Sequence, residues 1–261
     1  MELSEWPVAA TALESRDSSM ISLLRSSEGS VDPVQIIDFS QWIPVFPLPN
    51  AVLLPGAVLP LHIFEPRYRE MTRDALGGQR VMALALLKPN YEEKYHTLEA
   101  ELHDDVCVGR ILREEMLPDG RYNFLLQGVI RGRIHQENRA LAYRRAVIQP
   151  IYPIPVQPAR EMELRQALRA LLERPPLDEV ADRCHWLELF NCEGLGLSDL
   201  LDLLASGVLS DPEARQLFLA NPCVEARAAC LQRILAALSE QAASAARPHR
   251  PRPWPPPCGT N

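Results

Sequence analysis

The residues able to act as nucleophiles, bases or metal ligands are scattered along this sequence and do not fall into catalytic spacings. Lys88 and Lys94 are the only lysines among 27 basic residues. A phosphate-cradling loop needs its lysine directly after a glycine-rich run. Lys88 sits in Leu87-Lys88-Pro89 and Lys94 in Glu93-Lys94-Tyr95, so neither fits. A Ser-Lys dyad would have to draw on the same two, and neither lies in a recognisable catalytic context. The six cysteines, Cys107, Cys184, Cys192, Cys223, Cys230 and Cys258, contain no Cys-x-x-Cys pair. Zinc spacing and a compact disulfide framework are therefore unsupported, and the cysteines read as small buried hydrophobes. His62 and Glu65 stand three apart, not at the spacing of a His-Glu-x-x-His zinc helix. His103-Asp104-Asp105 reads as a solvated loop before a strand. Cys184 and His185 are helix neighbours whose side chains point about 100° apart, so they cannot meet as nucleophile and base. No metal, cofactor or catalytic group is expected, and the chain reads as a non-enzyme.

Two sets of residues suit binding. Arg131, Arg133, Arg139, Arg144 and Arg145 form a basic stretch that offers an RNA-contact strip as an alternative function. The net charge of -7 opposes broad phosphate binding, and Glu137 lies inside the stretch, so a solvated face is the favoured reading and nucleic acid is not an expected partner. Binding to unfolded chains instead needs exposed apolar surface near loops. Phe46 and Leu54, in a proline-broken rim segment, and Tyr91 and Tyr95, in a polar loop, are the candidate polypeptide-binding residues.

The elements that must position these residues follow from periodicity. Ile43 to Pro49 is apolar but carries Pro44, Pro47 and Pro49, which predicts an edge or rim segment and not a central strand. Asn50 to Gly56 is a connector and Val58 to Ile63 a short strand. Pro66 opens a helix, with Tyr68, Met71, Ala75 and Leu76 at helical spacing, and Gly77-Gly78 ends it. Arg80 to Leu87 has the length of a strand buried on both faces, and 88–104 is a loop. Val106 to Met116 and Arg121 to Ile134 flank Leu117-Pro118-Asp119-Gly120, which predicts a β-hairpin. Gly128 and Gly132 mark bulges or a corner, and Tyr143 to Ile151 is a further strand.

Past Pro150, Pro153, Pro155 and Pro158 the period changes to that of helices. Helices are expected over Glu161–Leu172 and Asp178–Phe190, the latter with Val180, Ala181, Cys184, Leu187 and Phe190 on one face. Ser198–Ala205 follows, closed by Gly207. Ser210-Asp211-Pro212-Glu213 reads as a capping box before a helix to Ala220. A fifth helix places Val224, Ala228, Leu231, Leu235 and Leu238 in register. Residues 1–40 read as a weakly ordered segment with a short helix over Ala12–Leu24, and 246–261 as a disordered proline-rich tail. No signal peptide and no apolar run of about 18 residues is present, so no membrane span and a cytoplasmic location are expected.

Phe46-Pro47-Leu48, Leu54-Pro55-Gly56 and Leu59-Pro60-Leu61-His62-Ile63-Phe64-Glu65-Pro66-Arg67-Tyr68 resemble the start of the Lon N-terminal, or substrate-binding, domain. Val108-Gly109-Arg110-Ile111, the Asp119-Gly120 hairpin, Gly128-Val129-Ile130-Arg131, Tyr143-Arg144-Arg145-Ala146, the Leu200–Leu204 helix and Arg215-Gln216 continue the likeness, which covers about 42–240. The resemblance implies an α+β fold: a PUA-like bent β-barrel or sheet module with one short helix over 41–152, then a helical bundle over 153–245. Pro55, Gly56, Phe64, Glu65, Pro66, Arg67 and Tyr68 would be its structural signature. It also implies a receptor for unfolded or tagged polypeptides, an adaptor to a AAA+ protease, with no ATPase or peptidase part of its own.

Overall fold

The computed structural model describes residues 37–175 and 183–245. The expected Ala12–Leu24 helix, the proline-rich tail, and Val180 and Ala181 fall outside them. Six strands form one mixed sheet: β1 (Ile43–Leu48), β2 (Val58–Ile63), β3 (Val81–Leu86), β4 (Asp105–Met116), β5 (Tyr122–Asn138) and β6 (Arg144–Ile151). The helices are α1 (Pro66–Gly77), α2 (Pro158–Leu172), α3 (Arg183–Phe190), α4 (Leu197–Val208), α5 (Pro212–Ala220) and α6 (Val224–Ala245). The chain divides into two compact units. One runs to Ile154 and takes in Leu201–Cys223; the other holds Pro155–Leu200 and the chain from Val224 on. The end of α4 and all of α5 thus belong with the sheet.

In the sheet unit the strand order is β2-β5-β4-β3-β1-β6, with β5 also pairing β6. All pairings are antiparallel except β1 with β3. The 17-residue β5 is the spine. Its first half pairs with β2 and its second half with β6, while β4 runs along its other side. β2 pairs only with β5, so its other edge stays open, while the β5–β6 pairing bends the remaining strands back on one another. Val129 is the extra residue where Val108 opposes Ile130 and Gly109 opposes Gly128. A bulge there bends the strand. The hairpin turn is as the Pro-Asp-Gly sequence requires: Gly120 has φ +78° and its N–H donates to the Leu117 carbonyl at 2.8 Å.

β1 overturns the edge expectation. It lies between β3 and β6. The Leu48 carbonyl accepts from Leu87 N, so residues 44, 46 and 48 face β3 and 43, 45 and 47 face β6. The β3 ladder starts at Val45 and the β6 ladder ends there. Each proline nitrogen in β1 therefore points just past the ladder on its own side, and no bond is lost. The core beneath is Val45, Val81, Ala83, Ala85, Val106, Val108, Ile130, Ala146 and Ile148, joined by Ile37 from the segment expected to be loose.

The helical expectations need small corrections. Asp211, not Ser210, caps α5: its Oδ2 accepts from Ala214 N at 2.9 Å, because Pro212 takes the first helical position. Gly207 lies inside α4, which runs on to Val208. Among the described side chains of α3, Trp186 and Leu189 are buried, while Leu187 and Phe190 of the expected face are half-buried; Cys184 lies outside the described side chains. In the second unit Leu164, Leu168 and Leu172 of α2 form an i, i+4, i+8 stripe, and α6 buries Val224, Ala228, Leu231 and Leu235 at i, i+4, i+7 and i+11. Arg160 of α2 pairs with Glu225 of α6 at 2.8 Å.

Candidate polypeptide-binding groove

Beside the open edge of the sheet lies a groove of about 810 Å³. β2, through Leu59, Leu61 and His62, and the β4–β5 hairpin, through Glu115, Asn123, Phe124 and Leu125, supply much of its lining. Phe46 and Tyr68 contribute an edge-to-face aromatic pair with ring centroids 4.7 Å apart. Tyr91 and Tyr95 stand 5.9 Å apart on the 88–104 loop. Phe64 is 49% exposed and stacks near His62. Among the described residues this is a concave apolar site with a few polar groups at its rim, the usual form of a ligand site.

The Glu65-Pro66-Arg67-Tyr68 helix start is what holds the loop wall in place. Glu65 is the N-cap of α1, and its carbonyl accepts from Tyr68 and Arg69 N–H. Its carboxylate makes no capping bond and instead accepts from Arg67 Nε at 3.0 Å. Arg67 also donates to the Tyr95 carbonyl at 3.2 Å, and its guanidinium lies 4.5 Å from the Tyr68 ring centre and 5.8 Å from that of Tyr95. Arg67 therefore ties the helix to the loop. Burial raises the Tyr68 and Tyr95 hydroxyls above the ordinary tyrosine range, so both stay neutral.

Of the four candidate binding residues, Phe46, Tyr91 and Tyr95 line this groove. Phe46 is only 5% exposed and forms part of its floor, while Tyr91 and Tyr95 also pack on the core. Leu54 lies elsewhere. At 1% exposure it is core, and its backbone closes on β5, where Gly56 and Ala57 exchange hydrogen bonds with Gly128. Pro55 and Gly56 serve that packing. Phe64 was legible only as part of a sequence signature; an apolar residue stranded between a strand and a helix start is the signal that marks it as exposed.

The basic stretch is not an open strip. Arg131 is buried and makes a bidentate bond to buried Asp202, with a further bond from Nε to the Leu219 carbonyl at 3.0 Å. Arg144 is buried against Glu137 and the Ala100 carbonyl. Arg133 pairs with Asp105 and Arg139 with Glu137. Four of the five arginines thus share three carboxylates, Asp105, Glu137 and Asp202, which reduces the charge on offer to a phosphate backbone. His103 faces Glu213 across 3.6 Å. Among the described residues no three His, Cys, Asp or Glu side chains gather as a metal site. No helix there is long and apolar enough to cross a membrane. Cys107 is a free, buried thiol that burial pushes up to about 12.

The sheet and its following helices have known counterparts. The family model of the ATP-dependent protease La (LON) substrate-binding domain matches residues 42–237. The chain belongs to this family. Similar proteins include Lon protease 2 of Sorangium cellulosum, 28% identical over 141 residues that are 51% of this chain and 17% of that protein. Lon protease 2 of Myxococcus xanthus is 25% identical over 195 residues, 73% of this chain and 23% of the relative. The Lon-family chain described above thus spans less than a quarter of these proteases. Among solved structures, the N-terminal domain of Mycobacterium avium complex Lon protease matches with a TM-score of 0.56 at 18% identity, over 75% of this chain and 98% of that one. The Lon N-terminal domain protein from Xanthomonas campestris matches at 0.51 and 22%, with the same coverage. These likenesses establish the Lon N-terminal fold, and the family match establishes a substrate-recognition type of domain.

Proposed function

We propose that this chain is a non-catalytic receptor for unfolded or protease-targeted polypeptides, acting as an adaptor in the cytoplasm, and that the groove beside β2 is where the polypeptide lies. The observation that carries the reading is the groove itself: half-buried and exposed rings of Phe64, Tyr91 and Tyr95 above a buried floor that includes Phe46, Tyr68 and Phe124, with polar side chains beside them. Such a surface gains by burying apolar side chains that a folded protein hides and an unfolded one shows. Family membership supports the same role, since only the substrate-recognition part of a Lon protease is matched. A AAA+ protease is the proposed recipient of the captured chain.

The test is retention of a permanently unfolded model protein by the full chain, with the native form of the same protein as control. The unfolded form is expected to bind, and Phe64→Ala is expected to weaken it about tenfold, the loss of one half-exposed aromatic contact of about 1.4 kcal/mol. Equal retention of native and unfolded forms, or indifference to Phe64→Ala, would refute the reading.

A further inference from the structure

Resting on the groove as a polypeptide site, we infer that its preferred occupant is an arginine-bearing segment in the polyproline II conformation. Two observations narrow the chemistry. The first is the open edge of β2. An extended peptide could add there as another strand, but Pro60 sits mid-strand opposite Leu125 in a ladder that continues on both sides of it. Its nitrogen therefore faces the open edge, which lacks a donor at its centre. Strand addition draws its affinity from main-chain hydrogen bonds and is poorly served here.

The second is the lining. Tyr91 and Tyr95 on the loop and the 49% exposed Phe64 line the groove with aromatic rings, over the buried Phe46–Tyr68 pair. Aromatic-lined grooves take polyproline II segments, whose backbone is already extended and loses little entropy on binding. The rim carries three carboxylates, Glu65, Glu114 and Glu115, beside Arg113. Glu65 and Glu114 already hold Arg67 and Arg80. Glu115 is exposed and in no salt bridge among the described residues, and an incoming arginine complements it. This chain itself carries a sequence of that composition. Residues 247–257 read Arg-Pro-His-Arg-Pro-Arg-Pro-Trp-Pro-Pro-Pro, with Arg247, Arg250 and Arg252 supplying the cations.

The experiment is fluorescence anisotropy of a labelled peptide of residues 247–257 titrated with the full chain. It is repeated with a full-length variant carrying Pro253→Ala, Pro255→Ala, Pro256→Ala and Pro257→Ala, so that the chain's own segment does not compete. Saturable binding is expected, weakened about tenfold by Phe64→Ala and by Glu115→Arg, and lost when the peptide's prolines are replaced by alanine at unchanged charge. Equal binding of the alanine peptide, indifference to both groove substitutions, or no binding to either protein would overturn the inference. If the peptide fails while an unfolded protein still binds in a Phe64-dependent way, only the polyproline preference falls. If neither binds, the receptor reading falls with it.

Discussion

Arg131 and Asp202 show how a single side chain can mislead. In the sequence Arg131 is one of a run of cations; in the fold it is buried, forked onto a carboxylate 71 residues away. Removing one member of such a pair strands the other charge in a dry interior, at a cost of about 3–5 kcal/mol. Asp202→Ala is therefore expected to lower the urea midpoint severely, whereas Arg131→Met combined with Asp202→Leu recovers much of the loss. A cycle in which the double variant is as unstable as the sum of the singles would contradict this. Cys107 makes a pH prediction. Its folded thiol is raised to about 12 by burial from an ordinary 9.0. Below pH 9 the thiol is protonated in both states and has no effect. As pH rises towards 12 the unfolded chain ionises and the folded one resists, so stability falls by about 1.4 kcal/mol per pH unit. Unfolding curves at pH 8 and 10 check this, with Cys107→Ala as the control that flattens the difference.

At the scale of elements, close approach decides more than propensity. A Cβ at Gly128 would lie 2.2 Å from the Leu54 carbonyl oxygen, backbone against backbone, with Cys107 Sγ at 3.1 Å. Gly128→Ala is expected to cost several times the ~1 kcal/mol typical of a point substitution, because the 54–57 connector cannot yield without leaving β5. Gly77→Ala, with nothing within 4 Å of the new methyl, is expected to be neutral or stabilising by up to about 1 kcal/mol at the end of α1. Thermal melts of the two variants measure the contrast. The α5 cap gives a smaller figure: Asp211→Ala should cost about 1 kcal/mol and Ser210→Ala almost nothing, since Asp211 holds the Ala214 amide.

For the whole molecule, the Lon-family fold presents an apolar groove on a chain of net charge -7. Capture of an unfolded protein is expected to show a negative heat-capacity change, the mark of apolar burial, and a shallow dependence on salt. Calorimetry at several temperatures reads both. A steep salt dependence with no heat-capacity change would place the contact on a charged face instead.

Much of this architecture was legible from local signals. The hairpin followed from Pro118-Asp119-Gly120, the buried strand β3 from an unbroken apolar run, and α1 from Pro66 and a 3.6-residue period, because turn chemistry and periodicity act between near neighbours. The family signature around Phe64–Tyr68 was equally local. What lies between β1 and its partners was not: prolines forbid hydrogen bonds only on the side they face, and which side is laddered is set by strands 38 and 101 residues away. The same holds for the site. Sequence singled out Phe46, Tyr91 and Tyr95 as apolar residues in irregular segments, but Leu54 has the same local character and is core. Exposure is a property of what packs against a residue, and only the bending of β5, the Arg67 clasp on the Tyr95 carbonyl and the Arg131–Asp202 bond decided which aromatic rings face a groove and which charges are spent inside.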